Sequence, residues 1–142
     1  MPVEPITVLS EDESWNLLAG VTLGRLITTL HGQIEIFPVN FVVQHRTVLF
    51  RSAEGTKLLS AAMNDEVVFE ADDHNVARGW SVIVRGSAHL LGTFSEIEEA
   101  ERAQLLPWTA TLKQYFVRIT PRQISGRGFH FGPEPDLYSS FA

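Results

Sequence analysis

The chain has no cysteine in its 142 residues. That absence removes disulfides, thiolate catalysis and cysteine-ligated zinc or iron–sulfur clusters. Long apolar runs are missing too, since none approaches the roughly 18 residues of a membrane-spanning helix. Basic residues are few: 11 Lys and Arg stand against 17 Asp and Glu, for a formal net charge of −6. Nucleic acid and anionic membranes both require clustered cations, so neither is expected as a partner. The opening Met1-Pro2-Val3-Glu4-Pro5 has no basic start and no apolar core. No signal peptide is expected there, and a cytoplasmic location is the expectation.

What is present suits one globular domain over residues 1–142, with 1–9 (a polar, proline-bearing lead-in) and 132–142 expected as loose termini. Ser10-Glu11-Asp12-Glu13 reads as a capping box, with Ser10 as N-cap and Glu13 three residues on. Trp15, Leu17, Leu18 and Val21 give the helix an apolar side, and Gly20 ends it. Trp15 reads as a core or dimer anchor.

Residues 23–30 and 33–43 form a predicted hairpin around His31-Gly32. In its second strand Ile34, Ile36, Pro38, Asn40 and Val42 share one face, and Glu35, Phe37, Val39, Phe41 and Val43 the other. Further strands are predicted at 47–52, 66–71, 80–91 and 116–120, the last with a continuation at 124–131 beyond Pro121. Gly86 in mid-strand predicts a bulge or sharp bend. Helices are predicted at 57–64 and 95–106, the second capped by Ser95 with Glu98 at its third position. Six strands with three inserted helices do not alternate as βαβ units. They predict an antiparallel barrel with helices outside, in the mainly-β or α+β class.

The chemistry concentrates in Phe50-Arg51-Ser52-Ala53-Glu54-Gly55-Thr56-Lys57, a polar loop that opens the helix at 57–64. Unpaired N–H groups and the dipole of a first helical turn favour an anion. Lys57 is the first candidate for a phosphate cation and Arg51 the second. Ser52 and Thr56 offer hydroxyls, and Gly55 lets the backbone approach closely. An ordinary strand-to-helix turn with solvated charges fits the same residues, and the spacing alone leaves both open. Pro38 interrupts a ladder, because it has no N–H to donate. That suits a plain edge strand as well as a place where a planar ring meets freed backbone groups.

His31, His45, His74, His89 and His130 are scattered, with no pair at metal-ligand spacing. No structural metal is expected, whereas one axial haem ligand needs only one histidine. No motif supports Ser-His-Asp hydrolysis. Glu96, Glu98, Glu99 and Glu101 read as a solvated helix face. No catalytic acid or base is implied by spacing.

Gly24-Arg25-Leu26, then Glu35-Ile36-Phe37-Pro38-Val39-Asn40-Phe41, then Phe50-Arg51-Ser52-Ala53-Glu54-Gly55-Thr56-Lys57-Leu58 resemble the pyridoxamine 5'-phosphate oxidase-like family of flavin-binding split β-barrels. The resemblance is nearest to its short, nitroimidazole-reductase-like members and covers about Leu9 to Gly126. It implies a six-stranded antiparallel split barrel of Greek-key type. It implies FMN, with the ring against Pro38, Val39 and Asn40 and the phosphate at Arg51, Ser52, Gly55, Thr56 and Lys57. It also places Trp80 and Ser81 at the cofactor, often across the interface of a homodimer. The family often carries two adjacent basic residues in the phosphate loop; here Thr56 stands in the first position. The implied activity is flavin-dependent redox of a small molecule. The alternatives are a deazaflavin-dependent reductase on the same fold, or a protein that holds flavin or haem without turnover.

Overall fold

Alternating apolar residues along each strand turn into one closed core. The computed structural model describes residues 4–52, 66–105 and 115–132. In chain order the described elements are β1 (Ile6–Leu9), α1 (Glu11–Ala19), β2 (Leu23–Leu30), β3 (Gln33–Gln44), β4 (Thr47–Ser52), β5 (Glu66–His74), β6 (Arg78–Leu90), α2 (Phe94–Glu101) and β7 (Tyr115–His130). The strands run in the order β1-β7-β4-β3-β2-β5-β6, and β6 pairs back onto β7. Six antiparallel strands therefore close into a ring, which leaves them no open edge. This is the mainly-β split barrel that the sequence predicts.

The length of β7 makes closure possible. Its first part pairs with β4, from Ser52 opposite Tyr115 to Val48 opposite Ile119. Its last part pairs with β1, and its other side follows β6 from Leu90 to Arg78. Between Arg85 and Gly86 the register skips from Gln123 to Pro121, leaving Arg122 unopposed. Pro121 cannot donate to the ladder, and the bulge absorbs that defect. A Cβ on Gly86 would run into the Thr120 carbonyl, so only glycine fits there. The predicted bend at Gly86 is thus observed.

Two hairpin turns set the strand pairing. His31 and Gly32 have φ of 51° and 77°, and His45 and Arg46 have φ of 51° and 53°. Two successive positive values match the twist of adjoining strands.

The core inside the ring holds Leu26, Phe41, Val48, Phe50, Phe69, Val82, Val84, Val117 and Ile119, all buried. Phe41 meets Phe69 edge to face at 4.7 Å. Trp15 and Leu18 of α1 join the same core, in keeping with the anchor role expected of Trp15. The capping box forms as predicted: the Glu13 N–H donates to Ser10 Oγ at 3.1 Å, and Ser10 N–H donates to Glu13 Oε1 at 3.0 Å. A second cluster of Leu49, Leu91, Ala100, Leu105 and Phe116 lies on the outer side of β4 and β7 beneath α2.

Several boundaries differ from the prediction. Ile6–Leu9 is a strand on β7, although the sequence there reads as a polar lead-in. Four residues carry little periodicity, and only the unpaired flank of β7 recruits them. Helix α2 begins at Phe94 and is capped by Thr93, not Ser95. Thr93-Phe94-Ser95-Glu96 and Ser95-Glu96-Ile97-Glu98 are overlapping capping frames, and the earlier one starts the helix. Its box is complete, with Glu96 N–H on Thr93 Oγ1 at 3.2 Å and Thr93 N–H on Glu96 Oε1 at 3.1 Å. The helix stops at Glu101, not 106, and a turn follows in which Gln104 takes a φ of 54°. The break expected at Pro121 is a bulge within one continuous strand. The helix predicted at 57–64 lies outside the described residues.

Candidate cofactor site

The side-chain alternation of β3 decides which of its residues face outward. Val39 turns into the core at 6% exposure, alongside Phe41. Pro38 and Asn40 turn out, opposite Arg25 and Leu23 of β2. An outward wall on this strand is therefore made by Pro38 and Asn40, with Val39 contributing its main chain.

Alternation along β4 separates Arg51 from Ser52. Ser52 is buried on the same side as Val48 and Phe50. Arg51 lies on the outer side with Leu49, opposite Phe116 of β7. Phe41 pairs with Phe50, so the next positions along, Asn40 and Arg51, flank one another on the outer surface. Hence β3 and β4 bring Pro38, Asn40 and Arg51 together. Gly55, Thr56 and Lys57 lie outside the described residues.

The surroundings of Arg51 are specific. Its guanidinium carbon sits 4.9 Å from the centre of the Phe116 ring. Nη1 donates to the Leu105 carbonyl at 3.2 Å. Nε is buried and has no hydrogen-bond partner among the described residues. Buried donors are ordinarily paired, and one left open on a charged group is costly. A pocket of about 520 Å³ adjoins it, lined by Arg51, Glu101, Gln104, Leu105 and Phe116. Glu101 is exposed, as expected of a solvated helix face, and it also lines this pocket, which no sequence spacing announced. Only the end of α2 folding back over β4 and β7 places Glu101 beside Arg51.

Trp80 and Ser81 sit on the far wall. In the ring, β6 is separated from β3 by β2 and β5 one way and by β7 and β4 the other. Trp80 is half-buried against the core and lines a second pocket of about 360 Å³ with Leu9, Leu17, Arg78, Gly128 and His130. Ser81 points outward and donates to Glu70 Oε2 at 3.2 Å. Within one chain neither residue joins Pro38, Asn40 and Arg51.

Ser81 instead belongs to a polar chain across the outer face of β2, β5 and β6. Arg25 Nη1 donates to Glu70 Oε1 at 2.6 Å and to Asp72 Oδ2 at 3.2 Å. Burial pushes the Glu70 carboxyl above its ordinary value, and the hydrogen bond and charge of Asp72 add to this. Arg25 and Ser81 oppose the shift without cancelling it. Beside this chain lie exposed Leu23, Ile34 and Ile36, the last two at 68% and 61% exposure. Strand pairing links these groups, and no sequence spacing announces them.

Among the described residues no three His, Asp or Glu side chains converge as a metal site. No described helix is long and apolar enough to cross a membrane.

A family model described as pyridoxamine 5'-phosphate oxidase matches residues 10–128. An uncharacterised protein of Mycobacterium tuberculosis is 63% identical over 101 residues, covering 71% of this chain and 92% of that protein. The structure of the FAD binding protein from Mycobacterium smegmatis superposes with a TM-score of 0.81 at 60% identity, covering 89% of this chain and 100% of that one. A Corynebacterium glutamicum structure that carries the same family name gives a TM-score of 0.87 at 40% identity, covering 94% and 100%.

Proposed function

The chain belongs to the pyridoxamine 5'-phosphate oxidase family, and from that premise we propose that it binds a flavin on the outer face of β3 and β4. The observation that carries the proposal is half-buried Arg51, whose Nε is buried without a hydrogen-bond partner among the described residues. A guanidinium fork suits a phosphate oxygen. Asn40 adjoins Arg51, with Pro38 two residues along the same outward face, and they offer the ring an amide and an apolar surface. FMN and FAD share the ring and the first phosphate, so both satisfy this arrangement. The Mycobacterium smegmatis relative is itself a FAD binding protein. A bound flavin would supply hydride or single-electron transfer, and the protein would hold and orient it. The reaction we propose is redox of a small molecule by a flavin-dependent oxidoreductase.

The working unit is proposed to be a homodimer. Leu23, Ile34 and Ile36 expose apolar surface on adjoining strands, an expense that a partner's burial would remove. Trp80 and Ser81 lie on the wall opposite β3, so they approach a cofactor held there only if it belongs to another subunit.

The test is an absorbance spectrum after incubation with FMN, FAD, deazaflavin and haem in turn, each followed by removal of free ligand. Retained flavin bands that bleach with NADH or NADPH and return with an electron acceptor are the expected result. Retention of no flavin would end the proposal, and a Soret band alone would replace it with haem binding.

A further inference from the structure

We infer that the pocket between β1, β6, β7 and α1 is a second ligand site, which takes an aromatic carboxylate with an amino or hydroxyl group at the far end of its ring. The inference does not depend on the flavin reading. Arg51, Pro38 and Asn40 have no part in this pocket.

Shape is the first argument. Strand pairing sets Thr7, Gly128 and Trp80 on one rung, with Gly128 in the middle. The rung before it sets Gly126 between Leu9 and Val82. Two glycines on the central strand therefore leave a trough with no side chain on its floor. A Cβ on Gly128 would come within 2.9 Å of Thr7 Oγ1 and would narrow the trough. Glycine in a strand lets a ligand approach the backbone closely. The half-buried Trp80 forms one wall, and Leu9 and Leu17 form the apolar side opposite. The space holds about 360 Å³, within the roughly 300–1,000 Å³ of sites for small organic molecules. A bare floor beside an indole suits a flat ring.

Polar chemistry is the second. Arg78 and His130 stand opposite each other on the next rung, at the mouth of the trough. Arg78 is exposed, and its guanidinium makes no hydrogen bond or ion pair among the described residues. A guanidinium receives a carboxylate through two parallel hydrogen bonds, and an imidazole N–H adds a third donor. Glu4 lines the same pocket from the β1 side. Strand β7 lies between β1 and β6, so roughly 9.5 Å, two strand spacings, separates their backbones. Glu4 accepts hydrogen bonds and donates none when ionised. A cation pair and an acceptor thus face each other across a flat apolar floor. A diacid is repelled by Glu4 and a diamine by Arg78, whereas an acid at one end and a donor at the other satisfy both.

The experiment is a titration of the full chain with 4-aminobenzoate, followed by the Gly128 amide and the Trp80 indole N–H in proton–nitrogen NMR spectra. Benzoate, aniline and cyclohexanecarboxylate are the comparison probes, each lacking one of the three features. Both reporters are expected to shift with 4-aminobenzoate, and each comparison probe is expected to bind several-fold more weakly. Arg78→Gln, at an exposed position, is expected to weaken 4-aminobenzoate at least about tenfold, the least that one charged hydrogen bond is worth. Glu4→Gln, also exposed, is expected to bring 4-aminobenzoate and benzoate towards equal affinity. Circular dichroism melts confirm that both variants fold. Silent reporters would overturn the site. Equal binding of aniline, or affinity unmoved by Arg78→Gln, would overturn the assigned carboxylate. The titration is then repeated with FMN present, and unchanged binding is expected. Displacement of the probe by FMN would overturn the separate site and make this pocket part of the flavin site.

Discussion

Arg51 and Phe116 stand directly opposite each other on one rung of β4 and β7, with the guanidinium carbon 4.9 Å from the ring centre. The charge is held over that ring and by the Leu105 carbonyl, at a pocket shared with Glu101 and Gln104. Lysine cannot reproduce this, because its ammonium is a point charge on a flexible stem. Arg51→Lys is therefore expected to weaken flavin binding despite keeping the charge. The loss is roughly tenfold to a hundredfold, from the ~1.5–3 kcal/mol of a hydrogen bond to a charged group. Flavin fluorescence quenching measures it, and wild-type affinity in the lysine variant would remove Arg51 from the site.

Gly86 and Pro121 form the irregular rung at which β6 and β7 shift register. A methyl group on Gly86 would meet the Thr120 carbonyl, which is backbone and cannot swing aside. Gly86→Ala is expected to destabilise the fold by about 1–3 kcal/mol, the usual cost of overpacking. Urea denaturation gives the value. An unchanged midpoint would mean that the bulge does not constrain the barrel.

Glu70 predicts a pH effect with a definite sign. Its carboxyl lies above the ordinary value of 4.5, chiefly through burial and then through Asp72. A raised folded value favours the protonated form in the native state. The stability from this group is complete below the unfolded value and is lost as pH rises through the folded one. Asp72→Asn removes the neighbouring charge, so Glu70 should titrate lower and the loss between those two values should shrink. Carbon-detected NMR of the Glu70 carboxyl, with denaturation curves across that range, checks both parts. A Glu70 titration indifferent to Asp72→Asn would contradict the assigned cause.

Ile36 lies on the outer face of the sheet, opposite Ile27 and far from the core cluster. Ile36→Asp should leave the barrel folded and convert a dimer to a monomer in sedimentation velocity. If the site is shared between subunits, flavin retention should fall with it. A monomeric wild-type protein, or a variant that stays dimeric, would refute the proposed interface.

Local signals were legible wherever the determining atoms are close in sequence. The Ser10 box was readable because its two partners are three residues apart. The inward set of β3 was readable because alternation is a local property. Gly86 announced its bulge by lacking a side chain in a β-rich run. Where two local codes overlapped, as at Thr93 and Ser95, local information could not choose. Packing of Ala100 and Leu105 on Leu49 accompanies the frame that forms.

The sequence by itself determined an antiparallel barrel, the strand faces and the residue types able to hold an anionic ring. Tertiary structure alone decided that Asn40 adjoins Arg51, and that Trp80 and Ser81 stand on the far wall. It alone decided that Glu101 and Gln104 complete a pocket over Phe116. The physical reason is range. Capping, turns and alternation act over a few residues. The register of β4 on β7 brings together positions some sixty-five residues apart, as Arg51 and Phe116 show, and no local pattern encodes it.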